Sequence, residues 1–77
     1  MVQAYVLIQT DSGRASEVAT TIAGIDGVTS SEAVTGPYDV IVSATAADVD
    51  ALGHLVVTKI QPVPGIDRTL TCPVIRL

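Results

Sequence analysis

The sequence has no Phe, no Trp, one Cys, one His and only four basic residues. Each shortage excludes something. Without large aromatic carbocycles other than two tyrosines, the core has to be built from Val, Ile, Leu and Ala. A single thiol, Cys72, cannot close an internal disulfide, and with His54 as the one imidazole there is no zinc-ligand spacing, so neither metal nor cofactor is implied. The basic residues are dispersed at Arg14, Lys59, Arg68 and Arg76 in a chain of net charge −4. Nucleic-acid affinity rests on clustered cations facing phosphates, so direct DNA binding by this polypeptide is not expected. No apolar run reaches the roughly 20 residues that span a bilayer. The opening MVQAYVLIQT lacks the basic start and small-residue cleavage site of a signal peptide. Together with the lone thiol, this points to a cytoplasmic protein.

What is present is a hydrophobic, weakly charged chain of 77 residues, 48% apolar, which is the composition of one folded domain and not of a disordered tail. Below about 80 residues a core alone rarely gives more than a few kcal/mol. With disulfide and metal excluded, self-association is the remaining way to complete such a fold.

The chain reads as two similar halves. AYVLIQT (4–10) is matched by YDVIVSA (38–44), each an apolar strand opened by a tyrosine. Each is followed by a segment of helical period, then by a glycine and a further strand, with Gly27-Val28 and Gly65-Ile66 in equivalent places. In the first helix Val18, Ile22 and Ile25 recur at i, i+4 and i+7, with Ser12 or Asp11 as the expected cap. The second is expected to start in a capping box, Thr45-Ala46-Ala47-Asp48, and to place Val49, Leu52, Val56 and Ile60 on one face before Pro62 and Pro64 stop it. The β-branched stretch HLVVTKI (54–60) would also suit a strand; the capping pattern and the length assign it to the helix.

The order β-α-β-β-α-β, with right-handed crossovers, predicts an α+β, ferredoxin-like antiparallel sheet of four strands with two helices on one face. The first and third strands are the most apolar and take the central places. Val2, Ala4, Val6 and Ile8 face one side of the first strand, Tyr5 and Leu7 the other. Strands apolar on both faces are normally covered on both. Two helices cover only one, so the second face predicts a homodimer formed sheet to sheet.

Few constellations carry chemistry. AVTGPYDVIVSA (33–44) reads as a hairpin with a two- or three-residue turn, and Gly36-Pro37-Tyr38-Asp39 is accounted for by turn chemistry. A ligand reading stands beside it: glycine exposes backbone to an approaching molecule, and Asp39 offers a carboxylate to an ammonium group. In DRTLTCPV (67–74), Arg68, Leu70 and Cys72 alternate with Asp67, Thr69 and Thr71. The threonines are ordinary strand residues that also present hydroxyl donors and acceptors, and Pro73 suits an edge strand. Cys72 reads as a small buried hydrophobe and His54 as a solvated helix residue. No triad spacing, phosphate-cradling loop or facing carboxylate pair occurs, and an enzyme is not expected.

GIDGV after the first helix, VTGPYDVIV in mid-chain and PGIDRTLTCPVI at the end, in that order after AYVLIQT, resemble the effector-binding (RAM) domain of the leucine-responsive regulatory protein/asparagine regulator (Lrp/AsnC) family, over essentially the whole chain. The resemblance implies dimers that pair through their sheets, rings that are commonly octamers, and a small effector, often an amino acid, held between dimers near the loop joining the second and third strands. Carried onto this sequence, it implicates Gly36, Tyr38 and Asp39, with Asp39 for the amine, and Thr69 and Thr71 from a neighbouring subunit. Family members also carry a helix-turn-helix domain; here the sequence opens directly at the first strand, which is similar to stand-alone members regarded as amino-acid binders or modulators of full-length regulators. Three functions compete: an effector-sensing module in the regulation of transcription, an interaction module that changes the assembly of full-length regulators without a ligand, and a small enzyme of the dimeric α+β barrel type, for which His54 would have to act without any visible partner.

Overall fold

In the computed structural model, which describes residues 1–76, the chain runs β1 (Val2–Thr10), α1 (Ala15–Ala23), β2 (Val28–Ala33), β3 (Val40–Ala46), α2 (Val49–Leu55) continued by a π-helical turn (Val56–Ile60), and β4 (Ile66–Pro73). The sheet order is β2-β3-β1-β4 with antiparallel neighbours throughout. This is the expected ferredoxin-like arrangement, with β1 and β3 inside and β4, ending at Pro73, on an edge. Among the described residues no helix is long and apolar enough to cross a membrane.

Alternation along the inner strands places the core. Ala4, Val6 and Ile8 of β1 and Val40, Val42 and Ala44 of β3 are completely buried beneath Val18 and Ile22 of α1 and Leu52, Val56 and Ile60 of the second helical segment. The Val, Leu and Ile side chains among these each stabilise by about 1.5–3 kcal/mol when fully buried. Two glycines make the returns from helix to strand. Gly27 and Gly65 have φ of +96° and +98°, conformations that L side chains rarely adopt, and they occupy the matching positions of the two halves.

The second helical segment departs from its expected start. Thr45 does not cap it: β3 runs on through Ala46, Thr45 pairs with Gln3, and its N–H donates to the Gly27 carbonyl at 2.8 Å. The cap is Asp48, whose Oδ1 accepts the Ala51 N–H at 2.7 Å. With the start shifted, Val49 lies 66% exposed instead of joining the buried stripe. α1 likewise starts without a side-chain cap. Its N-cap is Arg14, and the backbone of Asp11 is spent on Gly65, to whose carbonyl it donates at 2.8 Å. Ile25 falls beyond α1, in the turn that follows it, and still packs half-buried on the core.

The π turn explains how Leu52, Val56 and Ile60, spaced by four, all stay buried. In a regular α-helix each four-residue step drifts by about 40° around the axis. A turn closed by a bond from residue i+5, here the Gln61 N–H on the Val56 carbonyl at 2.8 Å, holds more residues and drifts back. The two steps largely cancel.

Candidate functional site

The link between β2 and β3 is residues 34–39, longer than the expected tight turn, because β3 begins only at Val40 and leaves Tyr38 and Asp39 in the loop. It is nonetheless closely held. The Val34 N–H donates to the Asp39 carbonyl and the Asp39 N–H to the Ile8 carbonyl, each at 2.8 Å. Asp39 Oδ2 accepts the Thr10 N–H at 2.8 Å, and Gln9 Nε2 donates to the Pro37 carbonyl at 3.0 Å. The end of β1 therefore clamps both sides of the loop. Gly36 sits at its exposed apex with φ of +141° and no atom within 4 Å of where a Cβ would stand. Tyr38 and Asp39 are half-buried.

The result is a preorganised loop offering exposed backbone at Gly36 beside a carboxylate whose position is already fixed. Gln9 and Thr10, which fix it, were invisible in the sequence: nothing local distinguishes them from other strand-end polar residues.

Thr69 and Thr71 are half-buried on the helix-covered side of β4. Thr69 Oγ1 accepts from Gln61 Nε2 at 3.1 Å. Thr71 lines a mainly apolar groove of about 350 Å³ with Val49, Leu52, Val56 and Val57 between the second helix and β4. Within one chain the loop and the threonines are not brought together. β1 runs between them, with Ile8 paired to Val40 on one side and to Thr69 on the other. Gly36, Tyr38 and Asp39 form one cluster; Thr69 and Thr71 form a second on the far flank of β1.

The other face of the sheet has no helix on it. Leu7 pairs with Ile41 of β3 and Leu70 of β4, and Tyr5 lies beside Ser43 and Cys72. Tyr5 is 44% and Leu70 48% exposed, which makes an apolar stripe across three strands. Cys72 belongs to this face and is exposed, not buried as its residue type led us to expect, because nothing in the chain packs on this side of the sheet, where the inner-strand residues Tyr5 and Ile41 are exposed as well.

A split βαβ sheet with one bare apolar face and a clamped loop between β2 and β3 is a ferredoxin-like α+β fold, and comparison with known proteins narrows it. The family model of the Lrp/AsnC ligand binding domain matches residues 3–77. The chain belongs to that family. It is 37% identical over 71 residues to an uncharacterized HTH-type transcriptional regulator of Pyrococcus furiosus, a match covering 88% of this chain and 47% of that protein. The chain thus spans about half the length of the curated relatives it matches. Among solved structures it is similar to TTHA0845 from Thermus thermophilus, with a TM-score of 0.92 and 32% identity over 100% of this chain and 96% of the other. It is also similar to E. coli AsnC, with a TM-score of 0.90 and 26% identity over 99% of this chain and 52% of the other.

Proposed function

We propose that residues 1–77 form a single effector-binding and assembly module of a Lrp/AsnC-type regulator, taking a small amino-acid-like molecule at the loop of Gly36, Tyr38 and Asp39. The observation that carries this reading is the clamped carboxylate. Asp39 uses Oδ2 on the Thr10 N–H, and a carboxylate has lone pairs enough for a second, charge-assisted bond to an ammonium group. The open backbone at Gly36 suits a ligand carboxylate. Thr69 and Thr71 would then be supplied by a neighbouring subunit, since β1 separates them from the loop of their own chain. Among known structures of this fold, a transcriptional regulator of Neisseria meningitidis, 23% identical over 97% of this chain and 50% of its own, with a TM-score of 0.85, was crystallised as a complex with L-Met. For this chain that supports the fold as a frame for such a ligand and leaves the ligand's identity to experiment.

Self-association through the bare sheet face is part of the same reading, since pairing that face with its copy would bury the stripe of Tyr5, Leu7, Ile41 and Leu70. The stripe also favours a second reading, an assembly module that needs no effector and acts by joining full-length regulators. In either case this chain's own surface makes no direct contact with nucleic acid, its four cations being dispersed and Arg14 already paired with Glu17.

Titration with each common amino acid, followed by thermal shift and by light scattering, separates the two. A ligand bound only by the folded protein raises its melting temperature. The sensing reading expects one or a few amino acids to do so, with the shift reduced in Asp39→Asn. A dimer or ring indifferent to all of them would leave the assembly reading standing alone.

A further inference from the structure

We propose that a second cavity, between the turn after α1 and the second helical segment, binds a small zwitterion, with its carboxylate on Lys59 and His54 and its ammonium on Asp26. The cavity has a volume of about 370 Å³ and is lined by these three side chains together with Ile25, Ala51 and Leu55. It is on the helix side of the sheet and does not depend on the reading of the β2–β3 loop.

Three features build it. The turn that carries Asp26 is hydrogen-bonded on both sides: Gly24 N–H donates to the Thr21 carbonyl, Ile25 N–H to Ile22 and Val28 N–H to Ile25, while the Gly27 carbonyl accepts from Thr45. Gly27 packs so closely on Leu55 that an added Cβ would stand 3.3 Å from its Cδ2, which fixes the spacing of the two walls. The third feature is the π turn. In a regular α-helix residues five apart diverge by about 140°, which would turn Lys59 away from His54. The wider turn at Val56–Ile60 brings Lys59 back, and both side chains line the same cavity. Such turns are rare and concentrate at functional sites.

The charges are arranged for a ligand more than for each other. Among the described residues the one ion pair is Arg14–Glu17, so Lys59 and Asp26 face a common space without closing on one another. A molecule with an anion at one end and a cation at the other satisfies both through charge-assisted hydrogen bonds. Ile25 and Leu55, both half-buried, offer an aliphatic wall for a short hydrocarbon side chain.

The test is an amide NMR titration of the folded chain with L-valine, alongside isovalerate, which lacks the amine, and isobutylamine, which lacks the carboxylate. Saturable shifts are expected at residues 24–27 and 51–59 with valine. Binding should be weaker by at least about tenfold for either single-charge probe, and by a similar factor in Lys59→Met and Asp26→Asn. Both substitutions are at exposed positions, and unchanged melting curves would show that the fold is kept. Equal binding of all three probes, or no saturable shift in this region, would overturn the proposal. In Asp39→Asn, with its melting curve kept, the helix-side shifts should persist while any at residues 35–40 weaken; their joint disappearance would also overturn it, since the two sites are independent.

Discussion

The carboxylate of Asp39 accepts the backbone N–H of Thr10 at 2.8 Å, just beyond Ile8–Val40, where the pairing of β1 with β3 ends. The side chain carries the bonding of β1 two residues past the end of β3. One residue thereby finishes this corner of the sheet and fixes the loop proposed to meet the effector.

Two substitutions divide these roles. Asp39→Ala removes the acceptor and should cost about 1–3 kcal/mol, seen in a chemical denaturation midpoint. Asp39→Asn keeps a carbonyl oxygen for Thr10 and should retain most of the stability, yet it removes the charge an ammonium group would seek. Calorimetry on Asp39→Asn is the decisive comparison: a stable protein that binds amino acids as tightly as the wild type would remove Asp39 from the site.

Gly65→Ala should be among the most damaging single-methyl changes in the molecule. At φ of +98° the new Cβ would stand 3.1 Å from both Arg14 Nε and Val18 Cγ2. The unfavourable backbone alone costs about 1–2 kcal/mol, and the buried Val18 cannot swing aside as the end of Arg14 can. Gly36→Ala meets no neighbour within 4 Å, so it should suffer the backbone cost only. Urea melts of the pair would rank them.

Charging the bare face of the sheet tests assembly. Leu70→Glu puts a carboxylate beside Leu7 in the apolar stripe, and burying it unpaired between two sheets is unfavourable by several kcal/mol. Analytical ultracentrifugation should show the mass falling to that of one chain with the circular dichroism spectrum kept. A variant with unchanged mass would place the contact between copies elsewhere.

The Arg14–Glu17 pair gives a small acid dependence. Its hydrogen bond and charge, with Arg14 first of all donating to Glu17, hold the Glu17 carboxyl below its usual 4.5. A lowered folded-state value means that the pair's contribution is present above the ordinary carboxylate range and disappears as pH falls through the lowered one. Both groups are at the surface, so the effect is modest and salt-sensitive. The melting temperatures of wild type and Glu17→Gln should differ near neutrality at low salt and converge in acid.

Sequence reading recovered the order of elements, the central strands and the buried stripe of β1, because these follow from alternation and period, which are local. Gly27 and Gly65 were legible as equivalent turn residues for the same reason. The helix starts were not. Thr45 and Asp48 both belong to a capping pattern, and which one caps depends on how far β3 extends, which Gln3 and Gly27 decide from other parts of the chain. Cys72 was misjudged because its burial depends on which face of the sheet the helices cover, and it lies on the other one. Of the loop residues, Gly36, Tyr38 and Asp39 were marked by their types alone; the clamp from Gln9 and Thr10, and the cavity that joins Asp26 to Lys59, arise only when distant segments meet.

Of the four strands, β1 comes before the others in the chain, lies inside the sheet and is completed last. Ala4 of β1 waits for Pro73, and beyond it the Val74 N–H closes on the Gln3 carbonyl at 2.8 Å. Contacts of such long sequence separation slow folding, since the loop must close before the pairing rewards it. Until β4 pairs with it, β1 presents an unsatisfied edge open to other strands. The docking of β4 on β1 therefore decides whether this flank of the sheet is closed or adhesive.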